Sequence, residues 1–329
     1  MWTTALSTCA KRDAMIGQII KQISNQYTIL THDNNLIEAI ARGKLRYIEV
    51  DGASSFYQSV SSKTKKEVKH QQISPKVGDI VTYAFISDHY VIQDIHPRKT
   101  DLYRPDIANV DQLFLVFSAT SPEFSFVLLD KFLTVLSRYD LDIIIILTKT
   151  DKVDDKAVKD LTSKLDYYKD MGYNYLSLNA KTLEDKNVLL KMLKNHVSVI
   201  AGQTGVGKST LLNGLIPNLN LATQEISKAL GRGKHTTRHT ELYPLNGGLI
   251  ADTPGFSKLS FEHFDIEDLK VAFKDFNLYK STCKFHGCAH IHEPSCGIKN
   301  ALDNGDIIQS RYDNYVAFYN EIKSIKRKY

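Results

Sequence analysis

Two textures of hydrophobic patterning divide the chain. Between Met15 and His96 the apolar positions fall in short runs, at 16–20, 26–30, 47–50, 80–85 and 90–95. Turn signals separate them, among them Asp33-Asn34-Asn35 and the stretch 75–79. Five short strands within about eighty residues predict a small barrel, with the OB-fold as the expected form. Beyond Arg98 the apolar runs lengthen and alternate with amphipathic stretches. Strands are expected at 113–118, 142–147, 173–178 and 197–200, and helices near 155–169 and 183–194. A further helix is expected after 118, with Ser121 as its N-cap, Pro122 at its first helical position and residues 124–136 supplying the apolar face. This alternation predicts a doubly wound α/β domain. Near the C-terminus, helices are expected at 266–276 and from 306 to the end. Ile308, Tyr312, Tyr315, Tyr319 and Ile322 recur every three or four positions there and form one apolar, core-facing stripe.

Length and charge narrow the picture modestly. A chain of 329 residues holds two or three domains. The net charge of +5 permits a nucleic-acid partner without requiring one. No apolar run approaches the ~20 residues of a membrane span, and residues 141–147 fit a buried parallel strand. The first fourteen residues are polar, lack periodicity and precede a second methionine, Met15. They read as a leader without the apolar core of a secretory signal, and Cys9 within them as incidental. A cytoplasmic location follows by default. Arg42, Lys44 and Arg46, with Lys63, Lys65, Lys66 and Lys69, give the barrel a basic side. That side is either an RNA-phosphate surface or a solvated loop face.

The chemistry concentrates at strand ends. Gly202-Gln203-Thr204-Gly205-Val206-Gly207-Lys208-Ser209-Thr210 fits G-x-x-x-x-G-K-[ST] between an expected strand and an expected helix. Glycines let successive backbone N–H groups turn around phosphate oxygens, and the helix N-terminus adds partial positive charge. Lys208 would reach the outer phosphates and the Ser209 hydroxyl would hold Mg²⁺. Thr148-Lys149-Thr150-Asp151 resembles the N/T-K-x-D motif of GTPases. An aspartate there accepts two hydrogen bonds that guanine offers and adenine does not. Thr148 has a shorter reach than the usual Asn. Asn179-Ala180-Lys181 resembles the S-A-K element behind the base. Asp252-Thr253-Pro254-Gly255 matches D-x-x-G, whose Asp serves Mg²⁺ and whose Gly N–H meets the γ-phosphate. Between them, in 231–238, Thr237 is the favoured threonine to close over Mg²⁺, with Thr236 second. The base motifs precede the phosphate loop, so the domain reads as circularly permuted. Phe256 occupies the place where many GTPases carry a water-orienting glutamine, which leaves His235 as the available candidate. Intrinsic turnover should therefore be slow.

Three of the four cysteines crowd into Cys283-x₄-Cys288-x-His290-x₅-Cys296. Three thiolates and an imidazole complete a tetrahedral structural Zn²⁺ site with no open position. His286 and His292 are nearby alternatives. The terminal Lys323, Lys326, Arg327 and Lys328 complement a helix dipole and could meet RNA phosphates.

The permuted motif order, Pro97-Arg98-Lys99 with Arg104-Pro105, Asn109-Val110-Asp111-Gln112, the His235-Thr236-Thr237 loop and the cysteine segment together resemble the small ribosomal subunit biogenesis GTPases (RsgA, also called YjeQ). The resemblance runs from Met15 to the C-terminus. Thr148, Asn179 and the leader depart from it. It implies His290 as the fourth zinc ligand, a catalytic role for His235, and the small ribosomal subunit with its rRNA as the activating partner. The expected organisation is a leader (1–14), an OB-fold RNA-binding domain (15–96), a circularly permuted P-loop G domain (97–258) and a helical zinc-binding domain (259–329). The expected activity is hydrolysis of GTP to GDP and phosphate by a monomeric, membrane-free factor that assists late subunit maturation. Its cofactors would be GTP or GDP, Mg²⁺ and one Zn²⁺. A nucleotide-gated rRNA-binding module is the alternative. An ATP-dependent enzyme is disfavoured by Asp151.

Overall fold

A computed structural model describes residues 14–41, 74–102, 105–179, 186–216, 219, 240–252, 259–262 and 264–325. Its first unit is a closed barrel of β1 (Met15–Ile23), β2 (Gln26–Thr31), β3 (Leu36–Ala41), β4 (Ile80–Ile86) and β5 (His89–Ile95), in the order β1-β2-β3-β5-β4. β4 closes the ring on β1, and β3 runs parallel to β5. Alternating inward positions Ile19, Tyr27, Ile29, Ala39, Val81, Tyr83 and Ile92 fill the barrel. The sequence pattern anticipates four of these five strands. It misses β3, whose Leu-Ile-Glu-Ala-Ile-Ala run contains residues of weak β propensity. The hairpin across Asp33-Asn34-Asn35 forces the pairing instead. Thr31 N–H donates to Asn35 O at 2.9 Å, and Asn34 adopts a left-handed conformation. The expected strand at 47–50 and the basic residues from Arg42 to Lys69 lie outside the described residues.

A short ribbon, β6 (Asp101–Leu102) and β7 (Ile107–Ala108), leads into a six-stranded sheet. The sheet comprises β8 (Gln112–Ser118), β9 (Asp142–Thr148), β10 (Tyr175–Ser177), β11 (Val197–Ala201), β12 (Leu242–Leu245) and β13 (Gly248–Asp252). The order is β10-β9-β8-β11-β13-β12, parallel except for β12. β8 is buried throughout, as the unbroken apolar run requires of a central parallel strand. Leu113, Leu115 and Phe117 face α1 (Phe126–Leu136) and α2 (Asp155–Asp170). Phe114 and Val116 face α3 (Lys186–Leu193) and α4 (Lys208–Leu215).

One sequence expectation fails here. The helix after β8 does not begin at Ser121-Pro122. Its N-cap is Ser125, whose hydroxyl accepts from Leu128 N–H at 3.2 Å. Ser121 has φ +51°, and residues 121–123 form a turn rather than the start of the helix.

The Pro97-Arg98-Lys99 and Asn109-to-Gln112 segments explain themselves structurally. Arg98 donates to both oxygens of the fully buried Asp79 at 2.7 and 2.9 Å, and to Asp101 at 2.9 Å. Lys76 pairs with Asp106 at 2.8 Å and with Asp101. Asn109 Nδ2 donates to Gly78 O, and Asp111 accepts from the N–H of Val197 at the foot of β11. Gly78 has to be glycine: φ is +92° and a Cβ would lie 2.0 Å from Ala108 O. These contacts seat the barrel on the sheet.

The C-terminal unit contains α5 (Ile266–Ala272), α6 (Phe276–Tyr279), α7 (Gly297–Asp303) and α8 (Gln309–Ser324). The helix expected over 266–276 breaks at Phe273, and α7 has no counterpart in the sequence reading. Asp265 and Asp268 form a capping box at the start of α5. Tyr315 and Ile322 of the anticipated stripe are buried, whereas Ile308, Tyr312 and Tyr319 are half-buried. The same helix also buries Phe318, Asn314 and, without any exposure, Arg311. No described helix is long and apolar enough to cross a membrane.

Candidate nucleotide site and metal centre

The C-terminal ends of β8, β9, β11 and β13 converge on one edge of the sheet. In doubly wound folds this edge is where ligands bind. Gly202-Gln203-Thr204-Gly205-Val206-Gly207 runs from β11 into α4. Gly202, Gly205 and Gly207 all have positive φ, at 144°, 89° and 104°. At Gly202 a Cβ would stand 2.2 Å from Val116 O of the neighbouring strand, so strand contact and dihedral both demand glycine. Lys208 Nζ donates to Gly202 O at 2.9 Å and to Gln203 O at 2.7 Å, folding the side chain back over the loop. Burial pushes its pKa below the ordinary lysine value, while the Asp252 carboxylate pulls upward. Ser209 and Thr210 follow in the first turn of α4.

Asp252 ends β13, buried, with its Cα paired to Ile200 of β11. Its carboxylate thus stands beside the start of the phosphate loop. The Asp252 carboxylate and Ser209 hydroxyl are hard oxygen donors, the donor chemistry Mg²⁺ takes.

At the end of β9 the structure settles what Thr148 touches. Its buried hydroxyl lies 2.6 Å from Val206 O and 3.1 Å from Phe117 O, bridging the phosphate loop and β8. Lys149, in a left-handed conformation, donates from Nζ to Gly205 O at 2.7 Å and to Ser121 O at 2.6 Å. Both residues therefore hold the phosphate loop from behind. Thr150 and Asp151 lie in the one-turn helix that follows, with Asp151 exposed. Asn179 follows β10, half-buried. Ala180, Lys181, His235, Thr236, Thr237, Thr253, Pro254, Gly255 and Phe256 lie outside the described residues. The sequence reading missed Ser121 as the second acceptor for Lys149; the failed helix start is the trace of that loop's different task.

The second site is the cysteine segment. One ligand atom from each of Cys283, Cys288, His290 and Cys296 lies within 4.8 Å of the others. Cys283 Sγ is 4.0 Å from Cys296 Sγ, and His290 Nδ1 is 3.6 and 3.4 Å from those two sulfurs. A tetrahedron with Zn–S of about 2.3 Å has S–S edges of about 3.8 Å, so the group fits. Burial pushes the Cys288 thiol up to about 12 and raises Cys296. Burial, with Lys270 beside it, pulls His290 down to about 4, which keeps the imidazole in its ligating neutral form. His290 has φ +63°, an uncommon conformation for a non-glycine residue.

Sequence reasoning missed Glu293. Its carboxylate accepts from Ala289, Ile291 and His292 N–H at 2.8, 3.1 and 3.1 Å. Burial would raise its pKa, but these backbone donors outweigh it and bring the value to about 2. Glu293 thereby pins the turn that carries His290. The only sequence signal is an acid placed between His290 and Cys296.

A family model described as RsgA GTPase matches residues 95–262. The small ribosomal subunit biogenesis GTPase RsgA of Phytoplasma australiense is 43% identical over 313 residues, 94% of this chain and 97% of that protein. The solved structure of YloQ, a circularly permuted GTPase, is 34% identical with a TM-score of 0.76, covering 97% of this chain and 100% of that one. YjeQ from Thermotoga maritima superposes with the same TM-score at 31% identity, covering 94% and 99%. With the phosphate loop placed after β9 and its Thr-Lys-x-Asp turn, and the cysteine cluster beyond both, this chain belongs to the RsgA GTPase family.

Proposed function

We propose that this chain hydrolyses GTP to GDP and phosphate on the small ribosomal subunit, assisting its late maturation, and that subunit-stimulated hydrolysis releases it. The observation that carries the reading is the meeting of Lys208, Asp252 and the Thr148–Asp151 turn at one sheet edge, with Thr148 and Lys149 bonded to the loop itself. The relatives' name, small ribosomal subunit biogenesis GTPase, supplies the partner.

In this mechanism the loop N–H groups and Lys208 hold the β- and γ-phosphates, and the Lys208 ammonium neutralises charge that develops on transfer. Asp151 accepts from the guanine base, and Asn179, Ala180 and Lys181 back it. Ser209, Asp252 and Thr237, with Thr236 in reserve, hold Mg²⁺. When bound, Mg²⁺ would supply positive charge against the negative charge that develops on the phosphates. The Gly255 N–H meets the γ-phosphate. His235 orients the attacking water, the role that Phe256 cannot take. Cys283, Cys288, His290 and Cys296 hold Zn²⁺ as a structural element. The barrel (15–96) and zinc domain (259–329) grip rRNA on either side of the G domain (97–258). The protein works as a cytoplasmic monomer.

Phe256 favours one second reading, a nucleotide-gated rRNA-binding module in which turnover is incidental. Binding to purified small subunits with GDP and with a non-hydrolysable GTP analogue separates the two. The proposal expects tight binding with the analogue, weak binding with GDP, and release from GTP only as phosphate appears. Release from GTP before any phosphate forms would contradict it.

A further inference from the structure

Arg311, Asn314, Tyr312 and Tyr315 occupy adjacent rows of α8, spaced three apart within each row. The two rows bond in different directions. Arg311 Nη1 and Asn314 Nδ2 donate to the two oxygens of Asp130, on α1 of the GTPase sheet, at 2.5 and 2.6 Å. Asp130 has no solvent exposure and also accepts from Tyr168 OH of α2 at 2.8 Å. Arg311 uses its other nitrogens on Asp275, at 3.2 and 3.1 Å, and Tyr167 of α2 donates to the same carboxylate at 2.8 Å. The adjacent row reaches the metal loop. Tyr312 OH donates to His290 O at 2.7 Å and Tyr315 OH to Ala289 O at 2.9 Å.

We infer that Asp130, in the GTPase domain, is a positioning residue for the zinc loop, acting through α8, so that zinc retention and the order of α1 are thermodynamically linked. One rigid helix carries both rows. A helix can turn or slide only as a unit, so the direction that α8 presents to Ala289 and His290 is set by its bonds to Asp130. The buried cluster makes that setting stiff. Removing one carboxylate charge leaves Arg311 in the apolar interior with Asp275 as its remaining anion. The linkage is reciprocal, as any equilibrium coupling must be. The nearby Lys131–Glu321 pair joins the same two helices at 2.7 Å but is partly exposed, so it serves as the internal control.

The inference rests on the zinc reading of the cysteine cluster, and its test needs neither GTP nor ribosomes. Zinc content of the purified full chain is measured first, then the rate of zinc transfer to a chromophoric chelator. Asp130→Asn is expected to release zinc at least about tenfold faster than the wild type, and Lys131→Met within about twofold of it. Tyr315→Phe combined with Asp130→Asn is expected to be less than additive, because both act on one helix. Should Asp130→Asn fail to fold, the wild type itself carries the test. Stripping its zinc is expected to speed amide exchange in α1 about tenfold while leaving α4 unchanged. Zinc-bearing protein whose α1 exchange ignores stripping, or whose release ignores Asp130→Asn, overturns the inference. Purified protein without zinc overturns the metal site and the inference together.

Discussion

Lys208, Thr148 and Glu293 each do work that a substitution can isolate. Lys208 is the loop's own side-chain cation, folded back over it onto Gly202 O and Gln203 O. Lys208→Ala should slow GTP turnover at least about 10²-fold, as removal of a preorganised charge does at other transition states. Circular dichroism of the variant should stay that of the wild type. Thr148→Val keeps the shape and removes the hydroxyl that bonds Val206 O and Phe117 O. Leaving buried carbonyls without this donor costs about 1–3 kcal/mol, so GDP should bind roughly five- to a hundredfold more weakly in equilibrium titration. An unchanged affinity would mean that Thr148 does not organise the loop. Glu293→Gln loses the carboxylate that three backbone donors share. Such outer-shell losses typically cost 10–100-fold in metal affinity, which chelator competition would read. Legibility at this scale was uneven. Residue type and spacing announced the loop, the Thr-Lys-x-Asp turn and the three clustered cysteines, while the resemblance chose His290 over His286 and His292. They could not announce Glu293 or Asp130, because their partners are backbone groups or a helix about 180 residues away.

Elements were read well where burial and periodicity agree. β8, β9 and β11 are solid apolar runs, and the sheet order places all three at its centre. Reading failed where tertiary pairing overrides local preference. β3 is held by β2 and β5 despite its Glu and Ala content. The start of α1 was misplaced because Ser-Pro imitates an N-terminus, while the loop it belongs to serves Lys149. α5 stops at Phe273 so that Phe273 and Phe276 can pack against Tyr315. The junction of β11 with its loop gives the element-scale prediction. In Gly202→Ala the new methyl would meet Val116 O at 2.2 Å in a backbone region that L-residues avoid. The dihedral alone costs about 1–3 kcal/mol. Denaturant midpoints should fall and nucleotide binding should be lost; retention of both would show that the loop is not tied to β8 as described.

At the scale of the molecule, permutation changes what the sheet edge is connected to. β13 ends at Asp252, and the next described elements in the chain belong to the C-terminal unit rather than to the sheet. The barrel is locked to the sheet by Arg98, Asp79, Lys76 and Asn109, and the C-terminal unit by Arg311, Asp130 and Asp275. Three units seated this firmly can present one composite face to a large partner. Motif order in the sequence was enough to read the permutation, whereas these joints use charges whose burial only the fold creates. This face is expected to meet the small ribosomal subunit, and the meeting to accelerate hydrolysis. Steady-state phosphate release from GTP, with and without purified small subunits at fixed Mg²⁺ and salt, tests it most directly. The expected result is slow release by the protein alone, a large stimulation by small but not large subunits, and loss of that stimulation in Lys208→Ala. Unstimulated release by a protein that still binds guanine nucleotide would contradict it.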